Sequence, residues 1–140
     1  MSLDNIFGIA GSALNAQTAR MNATASNLAN AGAVASNEAG AFRAKRVTFK
    51  TIMEQQSNSP DINKGGVKVS GVSDDPKPIS RMSDPGNPAA DKDGYVYLAN
   101  VNEMTEMVEM MAAARSYQNN VEIVNTARQL TLRTLDIIKN

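Results

Sequence analysis

The sequence predicts a mainly α-helical chain with a small β region. The expected architecture is an antiparallel two-helix coiled coil, built from the N- and C-terminal segments, with a loop and β-hairpin middle inserted between them. Three observations carry this expectation. All five Pro and seven of the nine Gly lie between residues 32 and 94 of the 140-residue chain, so helix breakers are confined to its middle. Apolar residues recur at heptad spacing in both flanks. Aromatic residues make up only 4% of the chain and Trp is absent, so buried area must come from Ala, Val, Ile, Leu and Met, which suits helix-on-helix contact. The expected organisation is a discontinuous helical domain from 1–31 and 101–140, with an inserted region over 32–100.

The N-terminal helix is expected from about Leu3 to Ala31, roughly 42 Å at ~1.5 Å per residue. Phe7, Leu14, Met21 and Leu28 share one heptad position; Leu3, Ala10, Gln17 and Thr24 share the other. Between Ser2 and Asn30 the only charged residues are Asp4 and Arg20. A lone surface helix carries a charged face, so this neutral, small-residue surface predicts burial among other helices. Asn30 and Gly32 are the expected stop residues.

The C-terminal helix is expected from about Val101 to Lys139, roughly 57 Å long. Met107, Ala114, Val121, Arg128 and Leu135 form one seam position; Met110, Tyr117, Val124, Thr131 and Ile138 form the next. Ile123, Ala127, Leu130 and Ile137 widen the apolar face. Glu103, Glu106 and Glu109 lie near the start, and Arg128, Arg133 and Lys139 near the end, an order that complements the helix macrodipole. Between the helices, strands are expected over 67–72, 79–82 and 95–98, with turns at Asp74–Pro78 and Asp84–Pro88. The stretch around Ser57 to Lys64 reads as flexible.

Composition excludes several functions. There is no Cys and no His, which removes disulfides, thiol nucleophiles, the usual zinc sites and imidazole acid–base chemistry. The 14 basic and 14 acidic residues balance, leaving no electrostatic footprint for nucleic acid or anionic lipid. No uninterrupted apolar run approaches a membrane span, so direct membrane insertion is not expected. The N-terminal stretch lacks the pattern of a secretory signal. Asp91-Lys92-Asp93-Gly94 has the wrong spacing for an EF-hand and reads as a turn. The basic run Arg43, Lys45, Arg46 and Lys50 reads as a solvated or subunit-facing strand. Met104, Met107, Met110 and Met111 have ordinary helix-core spacing. Asn22-Ala23-Thr24 matches a glycosylation sequon but falls mid-helix on a face expected to be buried. No carboxylate pair, triad or phosphate-cradling loop is present, and neither an enzyme nor a cofactor is expected.

The segment Gly11 to Ala31, with its Ser26-Asn27-Leu28-Ala29-Asn30-Ala31 core, closely resembles the N-terminal signature of bacterial flagellar rod and hook proteins. Glu106-Met107-Val108, then Ala114 to Glu122 and Asn125-Thr126-Ala127, resembles the matching C-terminal signature, with Gly94-Tyr95-Val96 ahead of it. Relatives often continue from Ala-Asn-Ala into Thr-Pro-Gly-Tyr. Here Gly32 to Asn37 follow without Pro, which agrees better with a short proximal rod subunit than with the longer members.

The resemblance implies a structural subunit that polymerises through its terminal helices into the axial tube of the basal body. It implies export through the flagellar type III apparatus without a cleaved signal peptide, and a place in the periplasm-spanning rod. The implied partners are copies of itself and other axial rod proteins (FlgB, FlgF, FliE and FlgG). Leu14, Met21, Asn27, Leu28 and Asn30 are the expected assembly residues of the first helix. Met107, Ala114, Tyr117, Val121, Val124 and Leu135 are those of the second. Phe49 and Met53 resemble the short apolar export motif of early flagellar substrates; an ordinary packing pair is the competing reading. Another proximal rod protein, or a soluble coiled-coil adaptor or export chaperone, is the alternative.

Overall fold

The computed structural model describes residues 3–52 and 65–139. Two long helices frame it: α1, Leu3–Ala29, and α2, Glu103–Lys139. Five strands lie between them: β1 (Val34–Ala35), β2 (Lys45–Ile52), β3 (Gly66–Asp74), β4 (Arg81–Ser83) and β5 (Tyr95–Leu98). A 3-10 turn, Glu38–Gly40, links β1 to β2. The helices run in opposite directions. Asn27 at the end of α1 bonds Glu106 at the start of α2, and Ile6 shares a groove with Thr126, Ala127 and Leu130.

Local chemistry sets the helix ends. Asn102 caps α2, its Oδ1 accepting from the Thr105 N–H at 3.0 Å. At the end of α1 the Asn30 side-chain amide donates to the Ser26 carbonyl at 2.8 Å, a second bond to an oxygen that also accepts the Asn30 backbone N–H at 3.2 Å. Gly32 is not among the described glycines with positive φ, so the helix stops without a left-handed cap.

β2 and β3 form a two-stranded antiparallel ribbon, with a bulge between Thr48 and Phe49. The ribbon lies along α1. Lys45 meets Asn27, the Phe49 ring sits 4.9 Å beneath the Arg20 guanidinium, and the Val67 N–H donates to Ser12 Oγ at 3.2 Å. The lengths match: eight strand residues span about 25 Å, and the helix from Ser12 to Asn27 rises about 22 Å. Ser12 Oγ in turn donates to the Ile9 carbonyl at 2.7 Å. The close approach depends on glycine. Gly66 has φ of 137°, and a Cβ there would lie 2.8 Å from Ser12 Oγ.

The second sheet has the order β1-β5-β4, all antiparallel. Its centre is Val96, which is fully buried. The Asp91–Gly94 turn feeds β5: Asp91 Oδ1 accepts from the Asp93 and Tyr95 N–H groups, both at 2.9 Å, and Gly94 takes φ of 77°.

A buried polar cluster ties helices and ribbon together. Asn27 reads the backbone of Lys45 at two points, accepting its N–H at 2.7 Å and donating to its carbonyl at 3.0 Å. The same amide nitrogen donates to Glu106 Oε2 at 2.9 Å. Arg46 Nη1 reaches Glu106 Oε1 at 2.9 Å, and Arg46 Nε reaches Asp75 Oδ2 at 3.1 Å. Asp75 Oδ1 accepts from the Lys77 N–H at 3.0 Å. Beside the cluster, the Asn100 side chain accepts from the Ala44 N–H at 2.7 Å and donates to the Asp75 and Lys77 carbonyls.

The structure departs from the sequence expectation in four places. β2 is a full strand that pairs with β3, so the middle holds two separate sheets. Part of the uncharged surface of α1 is covered by this ribbon, from within the same chain. The α2 seam residues Met110, Tyr117, Val124 and Thr131 are half-buried, but the companion row is Glu106, Ala113 and Ala127, one residue before the predicted Met107, Ala114 and Arg128. Glu106 looks like a solvated helix charge and becomes buried because Asn27 and Arg46 satisfy both its oxygens. The methionines divide as well: Met110 is half-buried, while Met104, Met107 and Met111 are exposed. Met53 and the stretch from Ser57 to Lys64 lie outside the described residues.

Two predictions follow from this packing. Gly66→Ala destabilises the fold by about 1–3 kcal/mol, the scale of a residue forced into a sparsely populated backbone region. Gly71→Ala, where a new Cβ meets nothing within 4 Å, changes it little. Urea unfolding of both variants checks this. The Lys77 N–H, and after it Arg46, hold the Asp75 carboxyl below its ordinary value. A depressed carboxylate stabilises the fold above the unfolded-state value of about 3.9, and that contribution is lost as pH falls through the folded value. The penalty of Asp75→Asn is therefore full near neutrality and disappears in acid, as a stability profile against pH would record.

Candidate assembly surface

Twelve large hydrophobic residues are exposed among those described, and nine of them are on α2. The helix is inverted relative to an ordinary amphipathic one. Its inward face buries Ala113 and Ala127, while its outward faces carry Met, Val, Ile and Leu.

The exposed residues fall into three groups. Met104, Met107, Val108 and Met111 follow the i, i+3, i+4, i+7 pattern and form one stripe over the first turns of α2. At ~100° per residue this stripe lies opposite Glu106 and Ala113. Ile123 and Leu130 come next, one heptad apart. With Ile6, Asn119, Glu122, Thr126 and Ala127 they line an apolar groove of about 390 Å³ between the two helices. The third group is Leu132, Leu135 and Ile137. Ile6 lies level with Thr126 to Leu130, so the last turns of α2 run past Leu3, the start of described α1, and the third group projects beyond it.

Nine exposed large hydrophobic residues on one helix make α2 the candidate interaction surface. The last turns of α2 expose Leu132, Leu135 and Ile137, whereas a helix draws most of its stability from a packed face. The surface offers contact and no reaction chemistry. Among the described residues, no group of acidic side chains could hold a metal ion. None of the described helices is long and apolar enough to cross a membrane.

The sequence-predicted assembly residues are distributed unevenly. Asn27 is buried at 1% exposure, at the centre of the polar cluster. Leu14, Met21 and Leu28 on α1, Asn30 just after it, and Ala114, Tyr117, Val121 and Val124 on α2 are half-buried. Met107 and Leu135 are each 50% exposed and stand on the outward surface. Phe49 is half-buried in β2 under Arg20, in an extended strand. Met104, Met111, Ile123, Leu130, Leu132 and Ile137 are further exposed apolar residues that the sequence reading did not place on the surface. Their signal was present in the width of the apolar pattern on α2, which exceeds what one partner helix can cover.

Comparison with known proteins agrees with this geometry. Residues 7–32 match the family model for the flagella basal body rod protein, and residues 92–137 match that for the C-terminal part of flagellar basal body rod FlgEFG proteins. The two matches fall on α1 and on β5 with α2. Full-length relatives are also similar. The chain is 48% identical to the flagellar basal-body rod protein FlgC of Yersinia enterocolitica, over 98% of both chains. It is 47% identical to that of Salmonella typhimurium strain LT2 and 45% to that of Buchnera aphidicola from Acyrthosiphon pisum, again over 98% of each chain. With nearly half of its residues shared over nearly its whole length, the chain belongs to the FlgC family of flagellar basal-body rod proteins.

Proposed function

We propose that the chain is a structural subunit of the proximal rod of the bacterial flagellum. In this reading, segments 1–31 and 101–140 form a coiled-coil domain that polymerises into the axial tube. The observation that carries it is the inverted α2. A helix that buries alanine against its own chain and exposes Met104, Met107, Met111, Ile123 and Leu135 has reserved its large apolar groups for neighbours. The identity with whole-length rod proteins supports the same conclusion.

The neighbours are copies of the chain and other axial proteins, FlgB, FlgF, FliE and FlgG among them. The subunit sits in the part of the rod that crosses the periplasm. It arrives there through the type III export apparatus without losing an N-terminal segment.

Met107→Asp and Ile123→Asp test the assembly face. Both side chains are half exposed, so the charge costs the free chain little, within about 0.5 kcal/mol. In a packed interface an unpaired charge costs several kcal/mol. The expected outcome is a soluble, secreted chain of unchanged helix content, with no swimming and no rod in isolated basal bodies. Normal swimming by both variants would remove α2 from the interface.

Export has its own test. Replacing Phe49 and Met53 by Ala and measuring secretion in cells lacking the other rod proteins separates transport from packing. Secretion lost at an unchanged cytoplasmic level identifies Phe49 and Met53 as the export signal. Normal secretion with lost motility assigns Phe49 to its contact with Arg20.

A further inference from the structure

The β2–β3 ribbon breaks a local rule at one point. Along it, Lys45 faces Asp74 across the strands and the two pair at 2.6 Å, as oppositely charged cross-strand neighbours should. Farther along, Lys50 faces Lys68 directly. Like charges in register across a ribbon repel, and neither lysine has an ion-pair partner among the described residues. Both are exposed. Phe49 turns toward α1, so by strand alternation Lys50 stands on the face pointing away from the helices. The two lysines line a recess of about 390 Å³ with Thr51, Ile52, Val69 and Ser70, and among the described residues no acidic side chain lines it.

We infer that the Lys50–Lys68 pair and its recess form a docking site for an acidic segment of a neighbouring subunit in the assembled rod. The inference rests on the proposed function and names a second, electrostatic contact, separate from the apolar face of α2. The partner chemistry follows from charge. Two ammonium donors, with the Ser70 hydroxyl beside them, satisfy a carboxylate pair. Ile52, on the same face as Lys50, suits a protein side chain better than a fully hydrated anion. A locally unfavourable pair on an otherwise consistent ribbon is where a binding role is expected, because the repulsion is relieved only when the partner arrives. Two other cations of this region are paired: Arg43 with Glu38 and Lys45 with Asp74.

Lys68→Glu separates this role from a structural one, and it lies outside the Phe49–Met53 segment, so export is not engaged. The substitution replaces a repulsive cross-strand pair by an attractive one. The free chain is expected to unfold at a higher urea concentration than the parent. In cells the same variant is expected to be secreted normally yet to give several-fold smaller swim rings and fewer complete rods. Lys68→Gln should fall between the two. Lys68→Glu that swims like the parent overturns the inference, as does a free chain destabilised in proportion to its motility defect. Glu54→Gln with Asp61→Asn is the control for an acid from this chain's own segment, and motility loss there equal to that of Lys68→Glu also overturns it. The proposed function fails separately: if Met107→Asp also assembles, the subunit reading is at fault, whereas if Met107→Asp is blocked and Lys68→Glu swims, only the lysine site is.

Discussion

Everything in the fold converges on the carboxylate of Glu106. It is fully buried, and a buried charge is tolerated only when its hydrogen bonds are complete. Asn27 of α1 supplies one and Arg46 of β2 the other. Each donor is committed elsewhere too. The Asn27 amide holds both polar groups of the Lys45 backbone, and Arg46 bridges on to Asp75. One acidic residue on α2 thereby fixes the end of α1, the start of β2 and the exit of β3. Its neighbours on the buried face are alanines, which contribute close approach but little shape, so the polar cluster supplies the specificity that apolar packing there does not.

The composition of α1 follows from its position between two layers. One side meets α2. Another side, through Ile9, Ser12, Arg20 and Asn27, meets the β ribbon. A helix covered on two sides has no room for a charged face, and small residues allow the backbone of Gly65 and Gly66 to pass close to Ile9 and Ser12. Arg20, the one basic residue of this helix, is accommodated by lying over the Phe49 ring. The neutrality of α1 is thus partly an intrachain property, and the outward demand for neighbours is concentrated on α2.

Much of this was readable in the sequence because helix signals are local. The concentration of Pro and Gly between 32 and 94 delimited both helices to within a few residues, and alternation marked β3 and β5. The strand over Lys45–Ile52 was weaker, since its Lys, Arg and Thr residues resemble a solvated stretch until the partner strand and α1 cover one face. Glu106 was unreadable as a core residue: nothing local distinguishes it from Glu103 or Glu109, and its burial depends on Asn27 and Arg46, 79 and 60 positions away. The candidate surface was half readable. An apolar pattern too broad for one partner is visible in α2, but which residues face inward is decided by the position of Glu106, one residue from the row that hydropathy alone selects.

That one-residue difference has a physical consequence for what the helix can do. Were Met107, Ala114 and Val121 to face α1, the largest side chains would be consumed inside the monomer and a conventional polar surface would remain outside. Turning the helix so that Glu106, Ala113 and Ala127 face inward gives up apolar burial within the chain, at ~25 cal/mol per Å², and leaves that area exposed. A monomer built this way is less stable than its sequence could make it. The deficit is recoverable only in contact with another surface. The same buried carboxylate that specifies the monomer's fold therefore also sets which face of α2 carries the exposed apolar residues.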